Sequence, residues 1–125
     1  MSILVVDDDL GIRREVAEIL GEEGIEVLTA SNGAEGLRLL RASRAPPSLI
    51  LLDLVMPGTD GWELRRAQLA DPLLARIPVL VFSSFDSGPR HAAELGAAGH
   101  LTKPFTIAEL LAAIARFVQP ESKGY

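Results

Sequence analysis

Three apolar runs in this chain end on carboxylates or hydroxyls with no polar transition. Residues 3–6 (Ile-Leu-Val-Val) stop at Asp7, Asp8 and Asp9; residues 49–52 stop at Asp53; residues 78–82 stop at Ser83 and Ser84. A short apolar run without polar alternation fits a strand covered on both faces. Between the runs, apolar residues recur at helical spacing. Ile12, Val16, Ile19 and Leu20 mark a first helix, with Gly24 placed to end it. Residues 27–30 read as a second strand, Asn32-Gly33 as a turn, and 34–40 as a helix. Asp60 is placed to cap a helix over 61–69, a short helix is expected over 89–95, and a weak fifth strand over 99–102. Thr106 is expected to cap a last helix that carries Ile107, Leu110, Leu111, Ile114 and Phe117 on one side. Five strands alternating with five helices predict an α/β domain, a parallel sheet covered by helices on both faces.

A chain of 125 residues has room for one such domain. Residues 1–119 are expected to form it and 120–125 a tail. Aromatics are 5% of the sequence, so the core must be mainly aliphatic. The net charge of −5 and the lack of any basic run speak against direct nucleic-acid binding. No cysteine is present, which excludes disulfides and thiolate metal sites. No charged leader with an apolar stretch and no membrane-length apolar run is seen, so the expected location is cytoplasmic, without membrane contact.

Open parallel sheets bind ligands at the carboxyl ends of their strands. That rule selects Asp7, Asp8, Asp9, Asp53, Ser83 and Lys103. Asp9 is read as a helix cap. Capping does not account for Asp7, Asp8 and Asp53 together. Neighbouring strands lie about 4.8 Å apart, so carboxylates closing the first and third runs would repel unless a cation sat among them. Mg²⁺, a hard ion that joins carboxylates to phosphate, is the expected occupant. Lysine is scarce, with Lys103 and Lys123 against ten arginines, and Lys103 follows the fifth strand, where an ammonium suits a phosphoryl oxygen. Ser83 offers a hydroxyl donor to the same group. The set is equipment for phosphoryl transfer onto Asp53.

The runs LVVDDD (4–9), LILLDLVMPGTDGWEL (49–64), PVLVFSS (78–84) and GAAGHLTKPF (96–105) resemble, in order and spacing, the signatures of response-regulator receiver domains of two-component systems. The resemblance covers residues 3 to about 118. It implies a doubly wound, flavodoxin-like three-layer sandwich with strand order 2-1-3-4-5. It also implies that Asp53 is the phosphoacceptor. Asp8, Asp53 and the Val55 carbonyl would bind Mg²⁺, with Asp7 assisting, and Ser83 and Lys103 would hold the phosphoryl group. Met56-Pro57-Gly58 and Gly61 would shape the loop after the acceptor, and Lys103-Pro104 would be cis. The phosphodonor would be a sensor histidine kinase or a phosphotransfer protein. The protein would not otherwise be an enzyme. It would act on an unknown target, as a monomer or as a dimer formed on phosphorylation. The output would run through Ser83 and the ring at the switch position to the face of the fourth helix, fifth strand and fifth helix.

Three positions depart from the family pattern. His100 stands at the switch position in place of Tyr or Phe; two readings stand, that its protonation makes the switch sensitive to pH, or that it merely sits half-exposed on an edge strand. Val55 and Phe85 are apolar where polar side chains are frequent. They offer nothing to orient a hydrolytic water, so slow self-dephosphorylation is expected. Trp62 is read as packing on the sheet, and His91 has no assigned role. A haloacid-dehalogenase-type phosphatase would carry its Asp nucleophile after the first strand and a cap domain. A flavodoxin-like electron carrier would show a phosphate loop there. Here the candidate acceptor follows the third strand, the length leaves no room for a substrate cap, and no Ser/Thr/Gly phosphate loop follows the first strand. The complete set of five site residues speaks against a degenerate receiver used only as a scaffold.

Overall fold

The apolar runs form the centre of a parallel sheet. The computed structural model describes residues 2–53, 61–83 and 88–118. In chain order the elements are β1 (Ser2–Val6), α1 (Leu10–Glu22), β2 (Glu26–Ala30), α2 (Gly33–Ala42), β3 (Leu49–Asp53), α3 (Gly61–Ala70), β4 (Val79–Ser83), α4 (Gly88–Leu95), β5 (Gly99–Thr102) and α5 (Ile107–Ile114). The five strands are ordered β2-β1-β3-β4-β5 and every pairing is parallel, as expected.

Alternation along each strand splits the core into two layers. Ile3, Val5, Leu49, Leu51, Leu80 and Phe82 pack with Val16 and Leu20 of α1 and with Leu110 and Ile114 of α5. Leu4, Val6, Ile50, Leu52, Val79 and Val81 pack with Leu40 of α2, Leu64 of α3 and Ala92 of α4. Both faces of β1 and β3 are therefore dry, which is why these strands lack polar alternation. Trp62 is half-buried against the second layer, as expected. At Gly36 a Cβ would lie 3.1 Å from the Val6 side chain, so the glycine lets α2 approach the sheet.

Local sequence sets the helix ends. Asp9 caps α1, its carboxylate accepting from the Gly11 and Ile12 amides. Gly24, at φ 77°, follows the C-terminus of that helix. Asn32 does not form the expected turn. It caps α2 by accepting from the Glu35 amide at 2.8 Å, so that helix begins at Gly33. Thr106 and Glu109 form a capping box on α5. The Lys103-Pro104 bond is cis.

Sequence patterning did not reveal one buried polar network. Arg65 and Gln68, one turn apart on α3, are 7% and 1% exposed. The Arg65 guanidinium donates to the Leu95 and Gly96 carbonyls at the C-terminal end of α4 and to the Gln68 side-chain oxygen. Gln68 in turn donates to the Leu74 and Ile77 carbonyls. Burial pushes the Arg65 guanidinium below its ordinary pKa. Among the described residues, no helix is long and apolar enough to cross a membrane.

Candidate functional site

The site lies at the carboxyl edge of the sheet, where register fixes what stands beside what. Val6 pairs with Leu52, so the next residues along, Asp7 and Asp53, leave β1 and β3 side by side. Asp53 pairs with Phe82 of β4, and Phe82 pairs with Leu101 of β5. Lys103 lies two residues beyond Leu101. Alternation returns its side chain to the face shared by Asp53 and Phe82.

The Lys103 ammonium bridges the two carboxylates. Its Nζ is 2.5 Å from Asp7 Oδ2 and 3.4 Å from Asp53 Oδ2. It also stands 4.7 Å from the centroid of the Phe82 ring. Asp7 is wholly buried and Asp53 is 7% exposed, so both charges depend on partners. Asp7 is held from several sides. Its other carboxylate oxygen accepts from the Asp9 amide at 2.9 Å, its carbonyl accepts from Arg13 Nη1 at 2.7 Å, and its amide donates to the Ala30 carbonyl.

Asp8 is exposed at the mouth. One oxygen from each of Asp7, Asp8 and Asp53 falls within 4.8 Å of the others. Oxygens sharing one Mg²⁺ at about 2.1 Å are separated by roughly 3–4 Å, a gap that small side-chain rotations close. An all-oxygen, all-carboxylate donor set suits a hard divalent ion, and three carboxylates against one ammonium leave negative charge for it to neutralise.

Asp7, Asp8, Asp53 and Lys103, chosen from the sequence, are thus brought together. The backbone of Ser83 closes β4, while its side chain lies outside the described part. Val55, the 56–58 loop, Asp60, Ser84, Phe85 and the 120–125 tail also lie outside the described residues, as does the side chain of His91. His100 is on the edge strand β5, paired in register with Val81, with its side chain exposed. Sequence reasoning missed Arg13 and Phe82. Phe82 was legible only as a strand residue, although the strand pairing sets it directly beside Asp53.

Comparison with known proteins points the same way. The response regulator receiver domain model matches residues 3–115. Sporulation initiation phosphotransferase F of Bacillus subtilis is 36% identical over 122 residues, covering 97% of this chain and 96% of that protein. The chemotaxis response regulator CheY4 of Vibrio cholerae superposes with a TM-score of 0.84 at 30% identity, covering 94% of this chain and 98% of that one. The receiver domain of sensor histidine kinase PA1611 from Pseudomonas aeruginosa, solved with a magnesium ion in its active-site cleft, gives a TM-score of 0.82 at 26% identity, covering 93% and 95%. The chain spans 54% of the length of other relatives it matches, among them response regulator MprA and the phosphate regulon regulator PhoB. Its matched sequence, strand order and carboxylate–lysine cluster together make this chain a member of the response-regulator receiver domain family.

Proposed function

We propose that Asp53 accepts a phosphoryl group from a phosphohistidine on a sensor kinase or phosphotransfer protein, with Mg²⁺ bound by Asp8, Asp53 and the Val55 carbonyl and assisted by Asp7. The observation that carries the reading is the Lys103 ammonium seated between two buried carboxylates from adjacent strand ends. A carboxylate oxygen of Asp53 attacks phosphorus, the bond from phosphorus to the donor nitrogen breaks, and the freed imidazole takes a proton from solvent. Bound Mg²⁺ supplies neutralisation of charge on the phosphoryl oxygens. Lys103 pairs with one of those oxygens and Ser83 donates its hydroxyl to another. Tight packing of β1, β3 and β4 holds the acceptor still, which is most of what this chemistry asks of a protein.

The chain does not turn over a separate substrate. It receives the group and loses it slowly to water, because Val55 and Phe85 bring no polar atom to that water. His100, on the exposed edge of β5, supports an output through α4, β5 and α5. The net charge of −5 supports a protein target over a nucleic acid. The test is incubation with acetyl phosphate or phosphoramidate and Mg²⁺, read by intact mass. One added phosphoryl group is expected on the wild type, none with Asp53→Asn, and none when EDTA replaces the metal. Equal labelling of Asp53→Asn would refute the assignment.

A further inference from the structure

We infer that Phe82 is a positioning residue for the phosphoryl-transfer site, its ring face serving as the seat that keeps the Lys103 ammonium beside Asp53. The inference rests on the proposed role of Asp53 and adds a residue that the five-residue set omits.

Phe82 is fully buried, and its backbone stands in register with Asp53. The Lys103 Nζ lies 4.7 Å from the ring centroid while contacting Asp53 at 3.4 Å. A lysine side chain is a flexible four-carbon stem with three donors at its tip. Two of its directions are taken by Asp7 and Asp53, and the negative face of the ring serves the remaining side. Phe105 fixes the plane of that seat, with ring centroids 5.2 Å apart at a tilt of 43°.

The arrangement matters once the carboxylates turn to other partners. As the oxygens of Asp7 and Asp53 take part in binding metal and phosphoryl group, the ammonium loses its strongest anchors. The ring does not move away, because the layer containing Leu80, Leu101 and Leu110 encloses it. It therefore holds the charge within reach of the phosphoryl oxygens throughout the transfer. An aliphatic side chain at position 82 would fill the volume without offering a negative face.

The experiment grades the charge on the ring face with little change in ring shape, and leucine serves as the ringless control. Position 82 is occupied in turn by phenylalanine, by 3,4,5-trifluoro- and pentafluorophenylalanine, and by leucine. Phosphorylation by phosphoramidate at saturating Mg²⁺ is followed by mass. The rate is expected to fall stepwise with fluorination, by roughly three- to tenfold at full substitution, with half-saturating phosphoramidate unchanged. The second readout is direct. Only two lysines are present, so the Lys103 ε-methylene resonance is readily assigned by comparison with Lys123. In the wild type it is expected upfield through the ring current, and in Phe82→Leu it returns to the position of Lys123. A rate insensitive to fluorination, or an unshifted Lys103 resonance in the wild type, overturns the inference and leaves Phe82 as core filling. Failure of the Asp53 assignment would look different: the wild type itself would take no phosphoryl group, while the lysine shift would persist.

Discussion

Arg65→Met removes the guanidinium that ties α3 to the end of α4. Three bonds are lost: to the Leu95 carbonyl at 3.1 Å, to the Gly96 carbonyl at 3.1 Å, and to the Gln68 side chain at 2.8 Å. The first two acceptors are partly solvated and recover water. The Gln68 oxygen is buried and does not, which costs about 1–3 kcal/mol. Loss of charge-assisted bonds to the loop adds to this, while relief of a desolvated charge offsets part. Methionine fills the stem's volume. The net expected loss is about 2–3 kcal/mol. At roughly 4 °C per kcal/mol for a domain of this size, Tm falls by about 8–12 °C. Urea unfolding followed by far-ultraviolet circular dichroism and by the single Trp62 measures it. Arg65→Lys keeps a charge but not the fork, and is expected to lose about half as much. The pH dependence is a second check. Burial lowers the pKa of Arg65, so folding disfavours its charged form. The associated cost is fully present below the folded pKa and is relieved only as pH rises through that value, in the strongly alkaline range. The difference between wild type and Arg65→Met is therefore expected to be flat from about pH 6 to 9. A loss below about 0.5 kcal/mol, or a slope across neutral pH, would refute the reading of this network as a buried tie.

Thr106→Ala removes the hydroxyl half of the capping box on α5 and is expected to cost about 1 kcal/mol by thermal unfolding. Gly36→Ala sets a methyl 3.1 Å from the buried Val6 side chain, so it is expected to destabilise by about 1 kcal/mol despite the better helix propensity of alanine; equilibrium unfolding decides the sign. Lys103→Met leaves Asp7 buried without its ammonium, so in EDTA it is expected to lose about 3 kcal/mol, and millimolar Mg²⁺ should return most of it; a metal-independent deficit would contradict the shared-charge reading. Val55→Asn combined with Phe85→Glu should shorten the lifetime of the phosphorylated form severalfold, measured as loss of the added mass after the donor is removed.

The fold was legible because two physical patterns coincide. Doubly buried strands need unbroken apolar runs, and residues 3–6 and 49–52 have them. Amphipathic helices need a stripe, and Val16, Leu20, Leu110 and Ile114 provide it. The charged members of the site were legible because a carboxylate directly after a buried run has few structural reasons to be there. Asn32 was misread because the Asn-Gly pair serves equally as a turn and as a helix start. Only the Glu35 amide, three residues on, tells the two apart. Phe82 and Arg65 were hidden for another reason. The role of Phe82 depends on its register partner, Asp53, twenty-nine positions earlier. Arg65 looks like an exposed helix residue until the chain end of α4 arrives beside it. Neither neighbour is encoded in local pattern.

The division of the core carries a consequence for how such a domain can change. The charged cluster is continuous with the layer that faces α1 and α5, through Phe82, Leu101 and the strand positions behind them. The opposite layer, built on Val6, Leu52, Val81 and the helices α2 to α4, is a separate cluster that contains neither Phe82 nor Leu101. Volume swaps in the second layer are thus expected to shift α2 to α4 while leaving the ring beneath the ammonium in place. Swaps in the first layer are expected to move Phe82, and the ammonium over it, along with the packing.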